Sequence, residues 1–513
     1  MRANAVSRTV VGGTCLVLAL GGVVAGVVAP AAAAPCGSED LTTRGDLDGD
    51  GRSDVVVGMP WRNDSVGGVD LRYTGSPSRV LTSGQLGVGT GEGDGFGAEV
   101  AVGDLDLDGC ADLVVSAPAE GQSEGSDGEG ANEGQVHIVF GGTGGIDTSQ
   151  VITLPHDSSN LDHFGAAVVM VARTAGGTTV HDLYVGAPDA EVGGDAEAGE
   201  VFRYTITPDP TSRVTVALAE VRDQDDADVP GAAERGDHFG EVLAAVDGGE
   251  GVLVGVPQED IGALQDAGAV WFLRTGATGT ALAAQSWSQD DTTVPGVAEA
   301  GDGFGAAVGS RGGWAVAGVP GEDIDSATDA GMVQVFSQNA SGALTPGRGV
   351  SQKTAGIPGA VEDGDRYGAA LAVGVALNCQ ESVDVAVGAP GEAIGTRAAA
   401  GALTLVGLTY DEGGCAARVL RQGSGLAGAV EAGDEVGSVL GLVRGRTDLD
   451  EDYADRLLIG VPSEDIGAVA DAGMVQPAVG GLVADGVAYD TLKYSEGYLS
   501  GWRYGMVLST PSD

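Results

Sequence analysis

Aromatic residues are scarce in this chain: Phe, Trp and Tyr make up 4% of 513 residues. Positive charge is scarce too, with 25 Lys and Arg against 74 Asp and Glu, for a net charge of −49. A surface of that sign repels nucleic acid and anionic membranes and attracts cations. Five histidines occur (His137, His156, His163, His181, His238), and they share no metal-ligand spacing. His163 and His238 precede Phe-Gly and read as structural. Glycine is the exception, at 90 residues. It has no three-residue period, which excludes collagen. Mixed with short Val/Leu runs, it predicts many short strands and tight turns.

Long apolar runs are absent after residue 28. Before that, Arg2 and Arg8 form a basic n-region, Val10 to Val28 is apolar, and Ala29 to Pro35 offers small-residue cleavage sites. Residues 1–34 read as a secretory signal peptide and 35–513 as one exported domain, with no membrane insertion after cleavage. Removing 1–34 removes two Arg and no acid. Four cysteines then remain, Cys36, Cys110, Cys379 and Cys415, an even count that suggests two disulfides in an exported chain.

What the chain does have is repetition. Seven apolar runs end in Gly/Ser-x-Pro, at Pro60, Pro118, Pro188, Pro257, Pro320, Pro390 and Pro462. Seven others open on an aromatic-Gly or equivalent pair, at Phe96, Phe164, Phe239, Phe304, Tyr367, Val436 and Tyr504. Each unit holds one strand after the aromatic-Gly, a second ending at Gly-x-Pro, a third such as "GQVHIVF", and a fourth in the variable stretch. Four antiparallel strands per unit indicate a propeller blade. The two series are out of phase. The chain starts on a Gly-x-Pro strand and ends on an aromatic-Gly strand at 501–509. Joined, they complete one sheet and leave no edge. The fold class is therefore all-β: a seven-bladed β-propeller closed by a composite blade.

The segment "FGAEVAVGDLDLDGCADLVVSAP" resembles an FG-GAP repeat, and the array is similar to the seven-bladed propeller of integrin α chains. The resemblance runs from about Gly45 to Ser509. It implies metal loops between the first two strands of some blades. FG-GAP propellers also occur in bacterial exported proteins, and beside catalytic domains in phospholipases and lyases.

Two loops carry the pattern D-x-D-x-D-G-x-x-D. Blade one offers Asp46, Asp48, Asp50, the Arg52 carbonyl and Asp54. Blade two offers Asp104, Asp106, Asp108, the Cys110 carbonyl and Asp112. An EF-hand needs a Glu at position twelve on a helix; position twelve in the first loop is Val57, inside a strand-like run. Hard, anionic oxygens at a flexible loop favour Ca²⁺ over Mg²⁺ or Zn²⁺. Four converging carboxylates would repel one another without a cation. Two Ca²⁺ sites are expected. Blade seven keeps Asp448, Asp450 and Asp452, with Tyr453 for the Gly and Arg456 at position nine, and is a weaker site. Blades three and six retain only the last Asp (Asp182, Asp384), and blades four and five have short turns without the pattern. The blade map also places Cys36 beside Cys110, and Cys379 beside Cys415.

Three other signals carry less. Arg-Gly-Asp occurs at Arg44–Asp46 and Arg235–Asp237, but Gly-Asp there belongs to the repeat consensus. Gly121-Gln-Ser123-Glu-Gly125 matches G-x-S-x-G inside an acidic loop with no following helix, so Ser123 is not read as a nucleophile. Asp260, Asp323 and Asp465 recur in loops after Gly-x-Pro and read first as turn residues. Those loops form the face opposite the metal loops. The expected function is a non-catalytic, Ca²⁺-stabilised binding or adhesion module for an extracellular protein or glycan. The alternative is an exported hydrolase or lyase acting on polysaccharide or lipid.

Overall fold

The fold is seen in a computed structural model of the chain. It describes Cys36, 45–89, 91–121, 133–156, 162–246, 248–379, 382–409, 416–443, 454–479, 482–483, 506–508 and 510–511. The signal segment, Ser123, Cys415 and the blade-seven aspartates Asp448, Asp450 and Asp452 lie outside these residues.

Seven sheets follow one another along the chain, each four strands deep at least. Blade two runs Val100–Gly103, Asp112–Ala117, Gln135–Phe140, Asp147–Thr153. Blade three runs Ala167–Ala175, Thr178–Ala187, Glu200–Asp209, Arg213–Arg222. Blades four to seven repeat the order from Val242, Val308, Leu371 and Val439. Neighbouring strands are antiparallel within each set of four, as hairpin connections require. The expected strand periods hold because each Gly/Pro-marked turn interrupts an apolar run before it can lengthen.

The composite blade forms as the phase of the repeats predicts. Val507 and Leu508 pair antiparallel with Gly58 and Val57, placing the last strand beside the first of blade one (Val55–Gly58, Val69–Arg72, Arg79–Leu81). One feature was not expected. Thr510 and Pro511 continue as a parallel strand on Ala101 and Val102 of blade two. Pro511 is tolerated there because it lies on the edge of that sheet.

Among the described residues the aromatics of these pairs are buried between blades: Phe96, Phe164, Phe239, Phe304 and Tyr367 are fully enclosed. Phe164 meets Phe202 edge-on at 5.2 Å, and Phe239 meets Trp271 at 5.7 Å. The partner glycines have a steric reason. A Cβ on Gly255 of the Gly-x-Pro strand would lie 2.0 Å from the Gly305 carbonyl oxygen, in the aromatic-Gly pair of the next blade. Gly186, Gly318 and Gly388 meet Gly240, Gly368 and Gly437 in the same way. The two repeat motifs are thus the two halves of one blade-to-blade contact.

Candidate metal centre and binding face

Topology sorts the loops onto two faces. Turns between first and second strands, and hairpins between third and fourth, share one end of the blades. Loops after Gly-x-Pro and the aromatic-Gly turns share the other.

On the first face, the blade-one loop is wound around Asp46. Its Oδ1 accepts the N–H of Gly49 (2.7 Å) and Asp50 (3.2 Å), and its Oδ2 accepts that of Gly51 (2.7 Å). Asp48 Oδ1 accepts from Asp50, and Asp50 Oδ1 from Arg52. Gly49 and Gly51 take φ of 74° and 83°, the left-handed turn that lets the chain fold back on itself. Asp46, Asp48 and Asp50 each present an oxygen within 4.8 Å of the others. The blade-two loop repeats this skeleton. Asp104 accepts from Asp108 and Gly109, Asp106 Oδ1 from Asp108, and Asp108 Oδ1 from Cys110. Leu107 takes the place of Gly49, at φ 60°, and Asp104, Asp106 and Asp108 converge equally closely.

The ninth-position aspartates stand apart from both clusters. Asp54 accepts the N–H of Leu47 through Oδ2 (2.9 Å) and of Thr74 through Oδ1 (2.7 Å). Asp112 does the same with Leu105 (2.8 Å) and Gly141 (2.9 Å). Each clamps its loop to the neighbouring strand. Blade six keeps this clamp after losing the other aspartates, whereas the Asp that blade three keeps is held by side chains. Asp384 accepts from Asn378 N–H and the Ser382 hydroxyl. Asp182 is held by Arg173 (2.6 Å), Arg203 (3.3 Å) and Thr205 (2.8 Å).

Burial, with added repulsion from neighbouring carboxylates, raises Asp46 and lifts Asp54 and Asp104 to about 7. Asp112, fully enclosed, is raised well above its ordinary value by burial and by Asp106 and Asp104. Backbone hydrogen bonds oppose the shift without cancelling it. A cation at these loops would relieve the cost of keeping them ionised. The donor set of clustered carboxylate oxygens suits Ca²⁺ better than a soft metal. Cys36 and Cys110 are joined by a disulfide between the two loops. Cys379 is disulfide-bonded as well.

Residues 96–139, which contain the whole blade-two loop, match the FG-GAP repeat family. That segment carries an FG-GAP repeat. Mouse phosphatidylinositol-glycan-specific phospholipase D is 29% identical over 190 residues, 35% of this chain and 22% of that protein. Rat integrin alpha-7 is 28% identical over 162 residues, 31% and 13%. The human phospholipase D is 29% identical over 170 residues, 30% and 19%. The chain spans about a fifth or less of the length of these relatives.

The opposite face of the propeller is a crown of similar turns. Ile261–Leu264, Ile324–Ala327, Ile394–Arg397 and Ile466–Val469 each close with a pair of backbone bridges. Asp260, Asp323 and Asp465 accept the N–H of Asp266, Asp329 and Asp471, each at 3.0 Å, as turn residues should. Asp237 of the second Arg-Gly-Asp is buried and accepts from Glu234 N–H at 2.7 Å. His163 and His238, from two aromatic-Gly turns, both bond Asp189 (2.5 and 3.0 Å). That bond raises both imidazoles.

Beneath the crown runs a ladder absent from the sequence reading. A Gln after one blade's fourth strand donates to a Glu two residues past the next blade's Gly-x-Pro. The pairs are Gln224–Glu259 (2.7 Å), Gln289–Glu322 (2.5 Å), Gln352–Glu392 (2.7 Å) and Gln422–Glu464 (2.6 Å). The four Gln Oε1 atoms are buried without a hydrogen-bond partner. A protonated Glu would supply the missing O–H and close an acid–amide pair. Burial, reinforced by neighbouring carboxylates such as Asp237 and Asp302, lifts Glu259 to about 8 and Glu322 and Glu464 to about 7. These groups bind protons more tightly folded than unfolded. Their stabilisation is complete below about 4.5, the ordinary Glu value, and is lost as pH rises through about 7–8. His163 and His238 act in the same direction, losing their contribution above their raised values. The urea midpoint should therefore be higher at pH 5.5 than at pH 8.5. Gln289→Leu removes the donor that opposes the rise at Glu322 and should widen that difference.

Proposed function

We propose that this FG-GAP propeller is an exported, calcium-stabilised binding module without catalytic activity of its own, and that its crown takes an extracellular protein or glycan. The observation that carries the reading is the division of labour between the two faces. One holds clustered carboxylates suited to a structural ion. The other presents exposed turns repeated around the ring, three of them braced by their own aspartate. Turns so braced lower the entropy lost on binding. The disulfides and the similarity to an integrin α chain support an extracellular setting. The charge of −49 favours a partner with a basic surface. Between blades five and six, a cavity of about 270 Å³ is lined by Gln352, Glu392, Thr404 and Arg421, groups that suit a polar ligand such as a sugar.

The partial similarity to a phospholipase D favours one second reading: an exported enzyme acting on lipid or polysaccharide with the propeller as scaffold. A glycan array and cell-surface binding assay, run beside a hydrolase and lyase panel that includes phosphoinositide-glycan substrates, separates the two. Saturable binding without turnover is expected. Turnover by the purified chain would reverse the order.

A further inference from the structure

We propose that Arg213 is the built-in cation of the blade-two loop: its guanidinium takes the place a divalent ion would hold there, and of the two described loops only that of blade one is left as an ion site. The inference rests on the calcium reading of blade one.

The two loops share a hydrogen-bond skeleton, so their spare oxygens correspond. Asp106 and Asp108, like Asp48 and Asp50, each give Oδ1 to a loop N–H and leave Oδ2 over. In blade two both spare oxygens are taken. Arg213 Nε donates to Asp106 Oδ2 at 2.5 Å and Nη2 to Asp108 Oδ2 at 3.0 Å. Among the described residues no side-chain cation reaches Oδ2 of Asp48 or Asp50.

The difference comes from what the next blade lays over each loop. Blade three's outer hairpin, at Asp209–Arg213, brings Arg213 onto the blade-two loop. Asp209 fixes its turn by accepting from Thr211 and Ser212 at 2.8 Å, and Arg213 sits at φ 66°. The guanidinium lies 4.3 Å from the Phe140 ring centroid and reaches the Gly141 carbonyl at 3.3 Å, so it is held from three sides. Blade two's own hairpin, "GGTGG", covers the blade-one loop with backbone alone. Gly144 N–H donates to the Asp48 carbonyl at 2.9 Å and Gly142 N–H to that of Leu47 at 3.4 Å.

A guanidinium stays charged at any working pH, and its planar fork can bridge two carboxylates as one ion does. Ca²⁺ would need the same two oxygens, so it must displace Arg213 to enter. One positive charge also neutralises less than a divalent ion, which leaves the loop able to take an ion once Arg213 is removed.

The test is isothermal titration of the full chain with CaCl₂, comparing ion counts between variants. Differences between variants cancel any ion bound at the blade-seven aspartates. Asp50→Asn should lower the count by one. Asp108→Asn should leave it unchanged. Arg213→Gln should raise it by one, and Arg213→Gln with Asp108→Asn should return it to the wild-type value. A fall of one on Asp108→Asn alone would show that an ion sits beside Arg213 and would overturn the proposal. An unchanged count in Asp50→Asn would overturn the blade-one reading instead, and the Arg213 arms would still decide their own question. Should Arg213→Gln fail to fold, Arg213→Lys and the Asp108→Asn arm remain decisive. Lys keeps the charge and should leave the count unchanged.

Discussion

Gly255→Ala is expected to lower the urea midpoint of unfolding steeply, while Gly276→Ala leaves it nearly unchanged. Neither glycine has the positive φ that would penalise a side chain by itself, so the contrast isolates space. At Gly255 the new Cβ would stand 2.0 Å from the Gly305 oxygen and 3.0 Å from its carbonyl carbon. Both are backbone atoms of the next blade and cannot rotate away. At Gly276 the nearest atom is 3.5 Å off, an ordinary contact. Overpacking of this kind costs about 1–3 kcal/mol, and more where neither side can yield. Surface changes without a clash stay within about 0.5 kcal/mol. Blade two supplies a natural comparison. It has Ser116 where the others have Gly, and Ser116 Oγ accepts the Glu99 N–H at 3.0 Å. One junction in the ring is therefore built to admit a Cβ. Equal midpoints for the two Ala variants would contradict the account of the repeat.

The second large effect concerns Cys36–Cys110. The pair closes 74 residues of chain, and the chain-entropy estimate for a loop of that size is about 4 kcal/mol, with about 2–4 usual in practice. Its placement adds to this. Cys36 N–H donates to the Asp108 carbonyl at 3.1 Å. A Cβ on Gly49 would lie 2.9 Å from the Cys36 sulfur, and one on Gly109 would lie 3.1 Å from the Cys36 carbonyl oxygen. The disulfide is wedged between the blade-one and blade-two loops. The Cys36→Ser, Cys110→Ser variant should lose denaturant stability of that order, and faster proteolysis should begin near residue 36. A midpoint matching wild type under oxidising conditions would mean that the N-terminal tether contributes nothing to the ring.

Blade number, strand order and the composite closure were legible in the sequence because they depend on local punctuation. Gly-x-Pro and aromatic-Gly recur at fixed places, and each marks a turn whose backbone only certain residues allow. That the three leading aspartates of each acidic loop converge was legible for the same reason. Contacts between blades were not. Arg213 lies more than 100 residues from Asp106 and Asp108 and reaches them only because one hairpin has a particular length and turn. Asp54 and Asp112 fit the spacing of a ligand set, and each also accepts one N–H from its own loop and one from a residue just past a neighbouring strand, a contact that spacing alone does not reveal. The Gln–Glu ladder did leave a trace: Gln224, Gln289, Gln352 and Gln422 recur after fourth strands, and Glu259, Glu322, Glu392 and Glu464 recur after Gly-x-Pro. Reading both columns of the repeat together would have paired them.

Calcium at the blade-one loop is the claim on which the functional account turns, and amide hydrogen exchange across residues 46–54 measures it most directly. Extracellular Ca²⁺ modules have Kd values of about 10⁻⁴–10⁻³ M. About 10 mM Ca²⁺ should then slow exchange through local opening roughly 10–100-fold relative to EDTA, the ratio of free ion to Kd. The account predicts that protection in the wild type and its loss in Asp50→Asn. Identical exchange of this loop in Ca²⁺ and in EDTA would contradict it.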